Sequence, residues 1–160
     1  PYALIYTTAI SLVTAPLIIF GQMRFEGNYF FHLPSMLMTG FSISVLALLV
    51  TWKTTQPSEG GSKMILIVPP GFILGGSLLA SGYMPAWVNT VKFAFPLTWE
   101  YEFWRDFSMR GLPLVDMLKS YGQYALYVTV ISSILAIIYF KTRINYFEMK
   151  KLEQKDGEKT

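Results

Sequence analysis

Between Leu33 and Thr51 the chain reads LPSMLMTGFSISVLALLVT, and no charge interrupts it until Lys53. A bilayer core is spanned by about 20 predominantly apolar residues in helical form, so this stretch predicts a membrane crossing inside Gly27 to Trp52. Working outward, Pro1 to Met23 is charge-free and closed by Arg24, Met64 to about Gly82 is a third such stretch, and about Tyr121 to Phe140, closed by Lys141, is a fourth. The expected fold is an all-α membrane protein in which residues 1–141 carry four transmembrane helices, at about 1–23, 33–51, 64–82 and 121–140. Residues 142–160 are expected to form a cytoplasmic polar tail, disordered in its final stretch from Lys155 to Thr160.

The composition agrees. Of 160 residues 52% are hydrophobic and 14% charged, against roughly 25% charged in an average soluble domain, and the mean hydropathy is +0.40. Twelve Phe, ten Tyr and four Trp with so few charges leave a water-facing surface short of polar cover, which argues against a soluble enzyme. The net charge of +3 belongs to the tail, because six of the thirteen Lys and Arg lie in the last twenty residues; nucleic-acid binding is not indicated. Without cysteine there is no disulfide, thiolate metal site or Cys nucleophile, and the lone His32 offers no histidine cluster to a metal. No cofactor is expected. No basic segment with a cleavage site precedes the first apolar run, so no signal peptide is read, and the chain is expected to begin inside a longer protein.

Lys and Arg favour the cytoplasmic side of a membrane. With four crossings both ends share a side, which then holds Lys53, Lys63, Lys141, Arg143, Lys150, Lys151, Lys155 and Lys159, against Arg24, Lys92, Arg105, Arg110 and Lys119 on the other. Both ends are therefore placed in the cytoplasm. Lys53 to Lys63, rich in Thr, Ser, Gly and Pro, reads as a flexible polar turn.

The longest connection, Tyr83 to Ser120, is not a simple loop. Met84 to Thr98 is too apolar for one and too interrupted by Pro85 and Pro96 for a fifth span. It predicts a short helix over about 85–95 with Pro85 in its first turn. A second helix, about 98–110, would take Thr98 as N-cap, place Glu100 and Glu102 in its positive first turn and stop at Gly111 before Pro113. Its Trp99, Phe103 and Phe107 share one face. Such a pair either lies in the outer interface or re-enters the bilayer against neighbouring spans. Glu102 with Arg105 (i,i+3) and Asp106 with Arg110 (i,i+4) have the spacing for local ion pairs.

In the third span Pro69, Pro70, Gly71 and Gly75 predict a bent helix that another backbone approaches closely. Close packing is the favoured reading, and a hinge or dimer contact is the alternative. For Pro96, Thr98, Glu100, Glu102, Arg105 and Asp106 the functional reading is an external gate, the other being interfacial ion pairing. His32 reads as a plain interfacial histidine with a pH sensor as the alternative. Thr7, Ser11 and Thr14 are expected to bond back to their own helix carbonyls rather than line a polar pathway.

The order Ser81-Gly82, Met84-Pro85-Ala86-Trp87, Phe95-Pro96-Leu97-Thr98, an aromatic helix with Arg105, Gly111, then a last span with a basic tail resembles the C-terminal part of ABC-2 type permeases of ATP-binding cassette transporters. The resemblance runs from what would be the third of six transmembrane helices to the C-terminus, and its most specific part is Ser81 to Gly111. It implies a partial permease in the inner membrane that moves substrate outward for efflux, pairs with a second permease subunit and works with a separate ATPase subunit. The chain lacks G-x-x-x-x-G-K-[ST], so it is not expected to be an enzyme itself. Competing readings are a non-transporting four-helix membrane scaffold or assembly factor, and a lipid-acting enzyme built from Glu100, Glu102, His32 and Asp106, which show no catalytic spacing.

Overall fold

The computed structural model describes residues 1–21, 25–54, 56–77 and 84–157. Every regular element among them is helical: α1 (Tyr2–Ile19), α2 (Tyr29–Thr51), α3 (Pro57–Met64), α4 (Val68–Phe72), α5 (Ala86–Val91), α6 (Pro96–Trp104) and α7 (Leu114–Gly157). Three extensions tighten or widen the coil: a π-helical turn at Ile73–Ser77 after α4, a 3-10 turn at Lys92–Ala94 after α5, and a π-helical turn at Arg105–Met109 after α6.

Three helical stretches are long and apolar enough to cross a membrane: α1, α2 and Leu114–Ile144 of α7. The Asn28 side chain accepts from the Phe30 N–H and starts α2 a turn earlier than Leu33. In α7 the chain from 123 to 156 contains neither Gly nor Pro, so nothing stops the helix at Phe140. It runs on through Gly157, which corrects the expectation of a disordered tail over 155–157; residues 158–160 lie outside those described.

Within the expected third span, Met64 to about Gly82, the described residues do not form one continuous helix. Pro69 and Pro70 have no N–H to bond carbonyls behind them, so they begin a helix instead of kinking one. Met64 closes α3, a turn follows, and α4 with its π turn spans 68–77, about 15 Å of rise. Residues 78–83, with Ser81 and Gly82, lie outside the described residues. Nor is Lys53 to Lys63 a loop: Pro57 opens α3 at its first turn, Glu59 sits near its N-terminus and Lys63 near its end, 4.0 Å apart.

α2 is the centre of the molecule and touches α1, α3, α6 and α7. α1 runs antiparallel to it: Thr14 Oγ1 meets the Tyr29 hydroxyl at 2.8 Å near one end, and Gly40 meets Ala3 and Tyr6 further along. A Cβ at Gly40 would stand 3.0 Å from Ala3 Cα, so glycine is what lets the two helices touch. α7 runs parallel to α2. The Tyr121 hydroxyl donates to the Phe31 carbonyl, Tyr124 meets Thr39, and Thr142 meets Trp52. Both helices therefore point the same way.

Many large apolar side chains are exposed and several polar ones are buried. Outward faces carry Leu4, Ile5, Leu12, Val13, Leu126 and Ile137, while His32, Ser35, Thr39, Ser42, Thr98 and Glu100 are buried. An apolar core of Phe103, Phe107, Met117 and Tyr124 sits between α6 and the first turns of α7. The aromatic face of α6 is therefore turned onto α7.

Candidate functional site

The site is made by four elements. The Asn28 cap sets where α2 begins, and so brings His32, Ser35, Thr39 and Ser42 to one buried face at helical spacing. Pro96 opens α6 with Phe95 as the extended capping residue. This corrects the N-cap expectation for Thr98: a proline without an N–H suits the first helical position, and Thr98 N already donates to the Phe95 carbonyl at 3.1 Å. Glu100 and Glu102 accordingly fall beyond the first turn. Thr98 Oγ1 is buried without a hydrogen-bond partner among the described residues.

α6 is enclosed on three sides. Toward α4 and its π turn, a Cβ on Gly71 would stand 3.1 Å from Phe95 Cβ, and one on Gly75 would stand 2.5 Å from Tyr101 Cδ2 and 3.3 Å from Thr98 Cα. Pro69 and Pro70 start the helix that presents these glycines. Toward α7, the Trp99 ring stacks on Tyr124 with centroids 5.1 Å apart and planes 6° from parallel. Toward α2 it presents Glu100. The far end stops at Gly111, whose φ of 60° is the left-handed conformation that glycine adopts without strain.

At the centre, Glu100 joins three helices. Its Oε1 lies 3.0 Å from His32 Nε2, a close contact not aligned as a hydrogen bond. Its Oε2 accepts from Thr39 Oγ1 at 2.8 Å, and that hydroxyl also meets Tyr124 OH at 2.8 Å. His32 Nδ1 lies 3.1 Å from Ser35 Oγ, which lies 2.8 Å from the His32 carbonyl. His32, Ser35 and Thr39 have no exposed surface. His32 is thus enclosed by protein, because α6 folds back over it.

The other charges form a separate chain along α6. Lys92 Nζ meets Glu102 Oε1 at 2.9 Å, Arg105 pairs with the second oxygen of Glu102, and Arg110 meets Asp106 at 3.0 Å. Glu102–Arg105 and Asp106–Arg110 use the spacings read from the sequence; the Lys92 contact comes from the turn after α5. Glu102 and Asp106, with Ser120 and Gln123 of α7, line a cavity of about 90 Å³. No group of three or more potential metal ligands occurs among the described residues. In α1, Thr7 and Thr14 donate to the Ala3 and Ile10 carbonyls at 2.9 Å, while Ser11 turns to Met36 Sδ at 3.8 Å.

Ser35, His32 and Glu100 form a hydroxyl, imidazole and carboxylate row that spacing alone does not reveal. Ser35 has no accessible surface, so no substrate carbonyl reaches it and the row is not a nucleophilic triad. It is an imidazole and a carboxylate held between helices, with the His32 side chain wholly enclosed and that of Glu100 11% exposed. What the sequence offered as a clue was polar residues at i, i+3, i+7 and i+10 inside an apolar span; Ser35, Thr39 and Tyr124 were missed because each is ordinary by itself. No protein-family model matches the chain, and no curated protein or solved structure matches it either.

Proposed function

We propose that the chain is the C-terminal part of the permease subunit of an ATP-binding cassette exporter, a multi-pass protein of the inner membrane with both of its described ends on the cytoplasmic side. One observation carries the reading beyond the motif resemblance. α2 and α7 lie parallel, with α5 and α6 at the Phe31 end of α2 and α3 at the Thr51 end. In a bilayer that geometry asks for a return crossing between them, to which α4 and its π turn belong. Together with α1 this makes four crossings. α5 and α6 then form the external re-entrant pair, with backbone at membrane depth shielded by protein, as a bilayer requires.

In this reading Glu102, Arg105 and Asp106 face the outer opening, and Pro96, Thr98 and Glu100 anchor the pair to α2 and α4. Pro69, Pro70, Gly71 and Gly75 give the third crossing its break and its close seat on α6. The exposed apolar face of α1 is available to lipid and to a second permease subunit. ATP hydrolysis belongs to a separate subunit, whose closure would tilt the helices and alternate access to a cavity between the two permease halves. The scaffold alternative is favoured by one observation: the His32, Glu100, Thr39 and Tyr124 groups meet one another in the buried interior.

The deciding experiment is purification of the full-length protein from native membranes in mild detergent, with mass spectrometry of what accompanies it. Near-stoichiometric recovery of a nucleotide-binding subunit is the result expected of an exporter; its repeated absence from folded protein moves the assignment to the scaffold. Topology has its own test, since the chain has no native cysteine. A cysteine at Thr90 is expected to react with an impermeant reagent on intact cells and one at Ser58 is not.

A further inference from the structure

His32 is the single histidine of the chain, enclosed by α2 and α6 with the Trp104 ring at 5.0 Å and the Phe107 ring at 6.4 Å. Its two nitrogens meet different chemistry. A serine hydroxyl has one proton to give, and Ser35 Oγ stands within bonding distance of both His32 Nδ1 and the His32 carbonyl. With the ring doubly protonated, Nδ1–H donates to Ser35 Oγ, the hydroxyl donates to the carbonyl, and Nε2 turns its proton toward Glu100. With the ring neutral, Ser35 rotates its proton to Nδ1 and the ring keeps the proton on Nε2. One hydroxyl rotation separates the two states, and neither strands Nδ1. A histidine with a purely architectural role needs only one of these arrangements.

We propose that His32 and Glu100 form a proton-binding site whose occupancy sets how firmly α6 is held against α2. A proton from solvent adds to the ring and converts a neutral imidazole facing a carboxylate into an imidazolium–carboxylate pair; no other bond forms or breaks. The Glu100 side chain is 11% exposed whereas that of His32 is 0% exposed, so solvent reaches the pair from the Glu100 side.

The described groups that face the pair are the Ser35 and Thr39 hydroxyls of α2, Tyr6 of α1, Tyr29 at the start of α2, Tyr101 of α6, and Tyr121 and Tyr124 of α7. The cations of the neighbouring chain are committed elsewhere: Lys92 and Arg105 to Glu102, Arg110 to Asp106. Among the described residues His32 is therefore the basic side chain that Glu100 meets. When the ring loses its proton, a buried carboxylate keeps only a hydroxyl and a neutral N–H, and incompletely paired buried charge is costly. Protonation tightens α6 onto α2, and rising pH loosens it. This inference does not depend on the exporter reading.

Trp104 supplies the test, because an imidazolium in contact quenches indole emission. Tryptophan emission of the full-length protein in lipid nanodiscs is titrated over about pH 5 to 8, where histidine changes charge. The expected result is a reversible step, dimmer at low pH, that is absent in His32→Gln and in Trp104→Phe and altered in Glu100→Gln. Hydrogen exchange of the α6 amides, referred to the α1 amides at the same pH, is expected to be slower on the low-pH side of that step. A native protein without a step, a step that survives His32→Gln or Trp104→Phe, or α6 protection that ignores the step would overturn the proposal. If His32→Gln does not fold, a step untouched by both Trp104→Phe and Glu100→Gln overturns it equally.

Discussion

α1 and α2 are both long and apolar enough to cross a membrane, yet they serve the molecule differently. α1 buries none of its residues; its Thr7 hydroxyl returns to its own backbone, and its Thr14 hydroxyl does so while also meeting Tyr29 of α2. α2 buries seven residues, from His32 to Val45, and four of them are polar: His32, Ser35, Thr39 and Ser42. Thr39 reaches 61 residues along the chain to Glu100 and 85 to Tyr124. Hydropathy measures what a helix can dissolve in, and by that measure the two are alike. Which helix organises the fold is decided by the few polar groups that need partners, since a polar group buried without one is penalised by the surroundings that suit its apolar neighbours.

The comparison is broken most severely at Glu100. Glu100→Leu leaves His32 without its carboxylate and Thr39 without its acceptor, and breaking a buried pair typically costs about 3–5 kcal/mol; loss of the folded population in a denaturant titration checks it. Next comes Gly75→Leu, which drives a side chain into Tyr101 and Thr98. Overpacking of this kind costs about 1–3 kcal/mol, and the thermal midpoint should fall while Gly61→Leu, with nothing within 4 Å, changes it far less. Thr39→Val removes the hydroxyl shared by Glu100 and Tyr124 and is expected to cost about 1 kcal/mol. Thr7→Val, which removes a hydroxyl that only bonds back to Ala3, should stay within about 0.5 kcal/mol. A Thr7 effect as large as that of Thr39 would erase the distinction between the two helices.

The all-helical class and the three helices long and apolar enough to cross a membrane, α1, α2 and Leu114–Ile144 of α7, were legible because a charge-free run of membrane length has few other folded forms. Gly111 was equally plain, since a glycine before proline stops a helix. The break before α4 was less so: Pro69 and Pro70 mark an interruption, but sequence does not tell a kink from a fresh start. The α7 extension was misread because polarity was taken for disorder, whereas Lys, Glu, Gln and Leu at 148–155 are good helix formers.

The candidate site was legible in pieces only. Glu100, Glu102, Arg105 and Asp106 stood out by charge, and the local pairs among them followed from spacing. Glu100 leaves that set for His32 because α6 folds against α2, a long-range contact that no local pattern encodes. The hydroxyls of Ser35 and Thr39 gain their meaning from that same contact.

The most direct measurement is a cysteine and spin-label scan along α1 and α2 in a bilayer, comparing relaxation by lipid-soluble oxygen with relaxation by a water-soluble nickel complex. The account predicts oxygen access at Leu12, Val13 and Leu17 of α1, and a dip in both accessibilities at positions 32, 35, 39 and 42 of α2. Nickel access along those four positions, or oxygen access at them equal to that on α1, would contradict a dry polar face enclosed by protein.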